Sequence, residues 1–413
     1  MKKTIIFLLL LVLVILFVFN FSHTIPNRLA IRDQVKSILP PKIYSFISVL
    51  TSSELSTKRL NNDYNEFFLP FTQQQNFKVS EIKLDFIKDN ISGYLNKKRA
   101  KTFYLENYDN NILIASKAGE FFISKNLEIN KSSFTKISSN LNELKILDIY
   151  IDDGFLYVSS SKKNKLCNKL NLYKAPLNNS YNFTKIFESK ECADKIMAGR
   201  IQSYVKNDNR YILLATAADI LKDRVTEKDT KPQDNNSIYG KIIRINIDTL
   251  KYDIFTKGHR NILGLYVDKD VILSTENGPK GGDEINKIEH GKNYGWDIAS
   301  YGLRYKSREP YISHKENNFQ EPIYTFIPSV GISEIIKING DGFNSPWKNN
   351  FLIGTLNYNH LLRVKFDNSF NKVVYVEKIY VGSRIRDLIY IKEINSIMLS
   401  SELGELIVLT PLR

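Results

Sequence analysis

The strongest constraint on this chain is its punctuation. From Phe77 onward, short apolar runs recur about every 8–15 residues. Among them are Ile112-Leu113-Ile114-Ala115, Ile146-Leu147-Asp148-Ile149-Tyr150, Phe155-Leu156-Tyr157-Val158, Lys241-Ile242-Ile243-Arg244-Ile245, Phe351-Leu352-Ile353, Leu362-Arg363-Val364, Val373-Val374-Tyr375-Val376 and Leu406-Ile407-Val408-Leu409. Turn pairs such as Asn110-Asn111, Asp153-Gly154 and Asn339-Gly340 separate them. Runs this short and this frequent read as strands of a sandwich, barrel or propeller. The 23 Tyr and 24 Phe residues suit the half-buried faces of such strands. Residues 77–413 are too many for one sandwich, and they suit six four-stranded blades of about 50 residues each. No blade repeat stands out in the sequence, so this count rests on length.

The N-terminus bears on location. Met1-Lys2-Lys3 precedes an apolar run from Ile5 to Phe19. Positive charge ahead of an apolar run keeps that end in the cytoplasm and sends the rest across the membrane. The run is short for a span, which needs about 20 residues. The residues that follow, Asn20-Phe21-Ser22-His23, contain no small-x-small cleavage site. The expectation is an uncleaved anchor helix over 1–21, a stalk or linker over 22–76, and an all-β propeller over 77–413. The propeller would sit in the periplasm or outside the cell, tied to the inner membrane. With no second long apolar run, a multi-span membrane protein is excluded. A composition of 43% hydrophobic and 25% charged residues excludes wholesale disorder. In an exported chain, Cys167 and Cys192 are the number needed for one disulfide, closing a loop of about 26 residues and worth roughly 3 kcal/mol. Two separate buried thiols remain the alternative. The net charge of +14 comes from lysines scattered among acids, without the aromatic and basic interleaving of nucleic-acid surfaces, so no nucleic-acid partner is expected.

One stretch carries the chemistry: Gly258-His259-Arg260-Asn261, then Glu276-Asn277-Gly278-Pro279-Lys280-Gly281-Gly282-Asp283-Glu284-Ile285-Asn286, then Gly291-Lys292-Asn293-Tyr294-Gly295-Trp296. Glycines permit close backbone approach. Carbonyls near Gly278-Pro279, with Asp283 and Glu284, are hard oxygen ligands of the kind Ca²⁺ takes. Arg260 offers a planar fork for a carboxylate. From these residues alone a ligand site and a turn-rich connection with ordinary salt bridges fit equally.

This pattern resembles the glucose/sorbosone dehydrogenase family, which includes soluble quinoprotein glucose dehydrogenases and aldose sugar dehydrogenases. Further matching landmarks are Gly199-Arg200-Ile201, Pro328-Ser329-Val330-Gly331, Trp347-Lys348-Asn349-Asn350 and Arg384-Ile385-Arg386-Asp387. The resemblance implies a six-bladed propeller that binds pyrroloquinoline quinone (PQQ) and Ca²⁺ and oxidises a sugar or alcohol hydroxyl, passing electrons to an acceptor the residues do not name. It implies that Arg260, Asn261, Arg384 and Arg386 contact the quinone. Gly278 and Pro279 would give carbonyls to Ca²⁺, with Asp283 as the nearby carboxylate.

Three positions depart from the family. Its glutamine falls on Leu263 and its lysine on Asn357. The position of its catalytic histidine falls on Ile196 in Ile196-Met197-Ala198-Gly199-Arg200, while the aspartate that partners that histidine falls on Asp219. A positioned base is worth about 10²–10⁴-fold in rate, and isoleucine cannot supply one. His259 is the one histidine inside the motif, and it reads as a structural hydrogen bonder or a substitute base. Lys195, Asp194 or His360 are further substitutes. Two functions therefore stand side by side: a PQQ-dependent dehydrogenase, and a propeller that kept the fold as a ligand-binding or scaffold module. A lactonase-like hydrolase is disfavoured for want of further metal ligands.

Overall fold

Neighbouring apolar runs pair across tight turns, and the turn residues are those the geometry demands. Asp109-Asn110, Asp153-Gly154 and Asn207-Asp208 all have positive φ, the conformation of two-residue hairpin turns. The computed structural model describes residues 68–69 and 77–412, except 88–89, 92–98, 142–144, 164–166, 220–228, 341, 344–346 and 358. The expected anchor over 1–21 and all but two residues of the expected stalk lie outside the described residues. Among the described residues, no helix is long and apolar enough to cross a membrane.

The strands form six antiparallel blades around a ring. The innermost strands, in chain order, are Phe103–Tyr108, Lys145–Asp152, Ile201–Lys206, Ile262–Asp268, Ile332–Lys337 and Ile385–Ile391, and each packs on the next until the sixth returns to the first. We number the blades 1 to 6 in that order. Closure uses both ends of the propeller: the outer strand of blade 6 is Phe77–Lys83, antiparallel to Glu405–Pro411. Phe68–Leu69, inside the expected stalk, adds a short parallel strand at the edge of blade 5. Six large apolar clusters fill the six gaps between neighbouring blades. This is why the strands read as near-continuous apolar runs: both faces of each sheet are buried. Cys167 and Cys192 are disulfide-bonded. The polar segment 221–237 reads as a loose excursion, yet its described end is tied in. The buried Lys241 ammonium donates to the carbonyls of Lys231, Pro232 and Tyr239 at 2.7–3.1 Å.

The ring is pinned at its axis. Arg200, at the entry to blade 3, places Nη1 2.7 Å from Asp148, 2.6 Å from Glu334 and 2.9 Å from Asp387, carboxylates of blades 2, 5 and 6. Its Nε donates to the Leu263 carbonyl of blade 4 at 2.6 Å, and Asp387 accepts the Leu105 amide of blade 1 at 2.7 Å. One buried guanidinium thus ties all six blades together. Burial raises Asp148, Glu334 and Asp387 above the ordinary carboxylate range against the pull of Arg200, and for Asp148 and Glu334 the neighbouring carboxylates add to the shift.

The sign of the resulting pH dependence follows. Raised carboxylates hold protons in the folded state that the unfolded chain releases. Their contribution is complete below the ordinary carboxylate pKa and drains away as pH rises through the raised values. Glu334→Gln imitates the protonated form. Measured by urea unfolding between about pH 5 and 8, it should flatten the decline of stability by up to about 1.4 kcal/mol per pH unit relative to the parent.

Candidate functional site

The links that enter each inner strand and the turns between second and third strands open on the same end of the ring. There lie the glycines and arginines of the motif that carries the resemblance. In blade 4, the buried Glu276 carboxylate accepts the Arg260 amide and holds His259 Nδ1 at 3.0 Å. Arg260 is thereby aimed at the glycine loop: its Nη1 donates to the carbonyls of Asn277 and Gly278 at 2.8 and 2.9 Å, and its Nη2 to Tyr305 at 3.1 Å. The Trp296 ring lies 5.2 Å from the guanidinium. Tyr305 also donates to the Pro279 carbonyl at 3.3 Å, so both loop carbonyls face the space Arg260 occupies. The loop folds so tightly that a Cβ on Gly278 would lie 2.2 Å from the Gly282 carbonyl.

On blade 6, Arg384 and Arg386 converge on Glu402. Arg384 Nε donates to it at 2.7 Å, and Arg386 Nη2 pairs with its other oxygen. These two arginines hold the buried Glu402 carboxyl well below its usual range, against the effect of burial. The two halves of the rim are joined by one hydrogen-bonded path. Arg384 donates to the Leu356 carbonyl, the Leu356 amide donates to Gly331, the Gly331 amide donates to Asp283, and Asp283 accepts the amide of Gly278.

Asp283 therefore uses its oxygens on the amides of Gly278, Gly331 and Ile332, where the resemblance sets it beside a metal. His259 is fully buried between Thr256 and Glu276 and stacked on Tyr294, turned away from the mouth. Ile196 is 2% exposed and packs into the cluster between blades 2 and 3, so its side chain does not reach the mouth. Asp219 is buried, and its amide donates to Asp229 at 2.6 Å. Leu263 joins Ala198, Ala217 and Leu356 in a small apolar cluster contributed by several blades, with Met197 against it. The Asn357 amide donates to Val330, beside Gly331. His360 is buried in the strand His360–Phe366.

Glu402 is the residue that sequence reasoning overlooks. The signal was available once blade 6 is folded as a hairpin, since Ile385 pairs with Ser401 and so places Glu402 beside the two arginines. Among the described residues, buried polar atoms at the rim without a hydrogen-bond partner include Asn261 Oδ1 and Arg386 Nε. Such atoms mark a place where a ligand or water completes the site.

The architecture is a closed propeller with arginines, carboxylates and loop carbonyls gathered at one mouth. The chain belongs to the glucose/sorbosone dehydrogenase family, whose profile matches residues 102–407. The aldose sugar dehydrogenase of Escherichia coli is 27% identical over 183 residues, 39% of this chain and 48% of that protein. The quinoprotein glucose dehydrogenase B of Acinetobacter calcoaceticus is 27% identical over 172 residues, 37% of this chain and 35% of that one. The matched segments thus span less than half of these relatives. A glucose dehydrogenase crystal structure superposes with a TM-score of 0.65 at 19% identity, covering 81% of this chain and 100% of that one, which shows the shared fold.

The rim makes its own prediction. Glu402→Gln leaves two arginines close together without their counter-charge. It should cost about 3 kcal/mol of stability in urea unfolding, and adding Arg384→Ala should recover part of the loss.

Proposed function

We propose that this chain is a PQQ- and Ca²⁺-dependent dehydrogenase of sugars or alcohols, working in the cell envelope. The observation that carries the reading is the continuous rim from Arg260 to Arg386, with Asn261 Oδ1 and Arg386 Nε left for a ligand. These residues fit a flat polyanion with a donor group of its own: Arg260 on one side, and Arg384 and Arg386 on the other, supply charge-assisted donors, while Asn261 Oδ1 accepts from a ligand N–H or O–H. Bound there, the quinone supplies a hydride acceptor. The Gly278 and Pro279 carbonyls, which here accept from Arg260 and Tyr305, are the groups that would hold Ca²⁺ once those donors give way. They are two neutral oxygens where the ion takes six to eight, so the remaining ligands must come from the cofactor and water. Asp283 braces that loop. Glu402 keeps the two arginines aimed. The apolar patch of Leu263, Leu356, Ala198 and Ala217 gives a ring system a dry surface. Envelope location draws on the lysine-led apolar run Ile5–Phe19, read as an inner-membrane anchor, and on the Cys167–Cys192 bond, which belongs to an oxidising compartment.

A second reading, a propeller that binds without turnover, is favoured by one observation: Ile196 sits in the core between blades 2 and 3, and the His259 ring is committed to Thr256 and Glu276.

Titrating the full chain with PQQ and Ca²⁺ should shift the cofactor's absorbance, and adding an aldose should then reduce a dye acceptor. Binding without dye reduction selects the second reading, and no binding rejects both uses of the rim. Arg384→Ala should weaken PQQ binding by about tenfold or more. Ile196→His should not restore a base. It buries a polar ring between blades 2 and 3 and should cost about 2 kcal/mol in thermal or urea unfolding.

A further inference from the structure

Opposite the glycine loop, blade 1, blade 2 and the link into blade 3 bring together lysines that the rim does not use. Lys117 lies in the turn after the strand Asn111–Ser116, with its amide on the Thr102 carbonyl and its carbonyl on the Ile146 amide, both at 3.0 Å. Lys145 opens the inner strand of blade 2, and its ammonium donates to the Ile196 carbonyl at 3.1 Å. Lys195 is the residue before Ile196. Lys117 therefore faces Lys145, Lys195 and Arg386 as like charges, with Glu402 as the opposing one, and Lys145 faces Lys195 and Arg386. Glu402 already serves Arg384 and Arg386. Partly buried cations crowded in this way repel one another at low dielectric, and an anion placed among them removes that cost.

The position says which anion. The lysines flank the link 195–200, which enters blade 3, across the mouth from the loop at Gly278. They stand where a substrate would approach a ligand lying along the rim. Lysine ammoniums are compact point charges suited to a single carboxylate or phosphate. We propose that Lys117, Lys145 and Lys195 form a subsite for an anionic group, carboxylate or phosphate, on a carbohydrate substrate. The inference rests on the carbohydrate-dehydrogenase reading and narrows its substrate class. Burial and like charge also bring Lys117 down to about 7 and Lys145 to about 8, so the subsite loses charge just above neutrality.

Calorimetric titration of the full chain without cofactor tests this, with D-glucuronate, glucose 6-phosphate and glucose as probes. At pH 7 one or both anionic sugars should bind at least about tenfold tighter than glucose. That preference should fade as pH rises from about 7 to about 9, because lysines that lose their protons no longer attract the anion. The Lys117→Gln/Lys145→Gln double variant should abolish it. Should that variant fail to fold, Lys145→Arg, whose guanidinium stays charged throughout this range, should retain the preference at pH 7 and lose less of it than the parent as pH rises to about 9. Glucose binding as tightly as both anionic sugars, or a folded double variant that still discriminates, overturns the proposal. So does displacement of glucuronate by PQQ, which would assign the lysines to the cofactor. Glucuronate binding in a chain that takes up no PQQ would reject the dehydrogenase reading and leave the subsite standing. PQQ uptake with no preference for the anionic sugars would do the reverse.

Discussion

A single guanidinium holds the centre of this molecule. Arg200 meets carboxylates from three other blades and a carbonyl from a fourth, and Asp387 extends the contact to the last. Apolar packing joins each blade only to its neighbours, so six separate clusters would tolerate small slips in the ring. The knot fixes the blades against a common point. Buried charges of this kind contribute registry more than net stability, because desolvation offsets most of their attraction.

The rim is built on that floor. Arg200 also donates to the Arg386 carbonyl at 3.1 Å, so the knot and the arginine pair share a strand. From there, positioning passes through backbone bonds: Arg384 to Leu356, Leu356 to Gly331, Gly331 to Asp283, Asp283 to Gly278. Three blades thus place two arginines and two carbonyls with few side-chain degrees of freedom. The mouth is chemically divided. Blade 4 offers carbonyls and Arg260, the wall around Leu263 is apolar, and the side near Lys145 is basic.

Much of the fold was legible in the chain. The apolar runs near Ile112, Ile146, Phe155, Lys241, Phe351, Val373 and Leu406 all fall within observed strands, because both sheet faces are buried and the hydrophobic signal is strong. Strands with more polar edges, such as Thr135–Ser139 and Thr184–Glu188, lie at the outside of blades and carry little signal. The acids Asp148, Glu334 and Asp387 were visible as single charges interrupting apolar runs. Their common partner was not, since Arg200 lies far from Glu334 and Asp387 in sequence and meets them only through ring closure.

Sequence by itself determined the family, the blade-forming runs and the glycine loop at Gly278, since these rest on local backbone geometry and on short motifs. Only the tertiary structure decided what the ionisable residues do. It buried His259, sent Ile196 into a core, committed Asp283 to backbone amides and brought Glu402 to the arginines. The reason is physical: a side chain's charge and reach are written in its identity, but its partners are set by which blades meet at the axis.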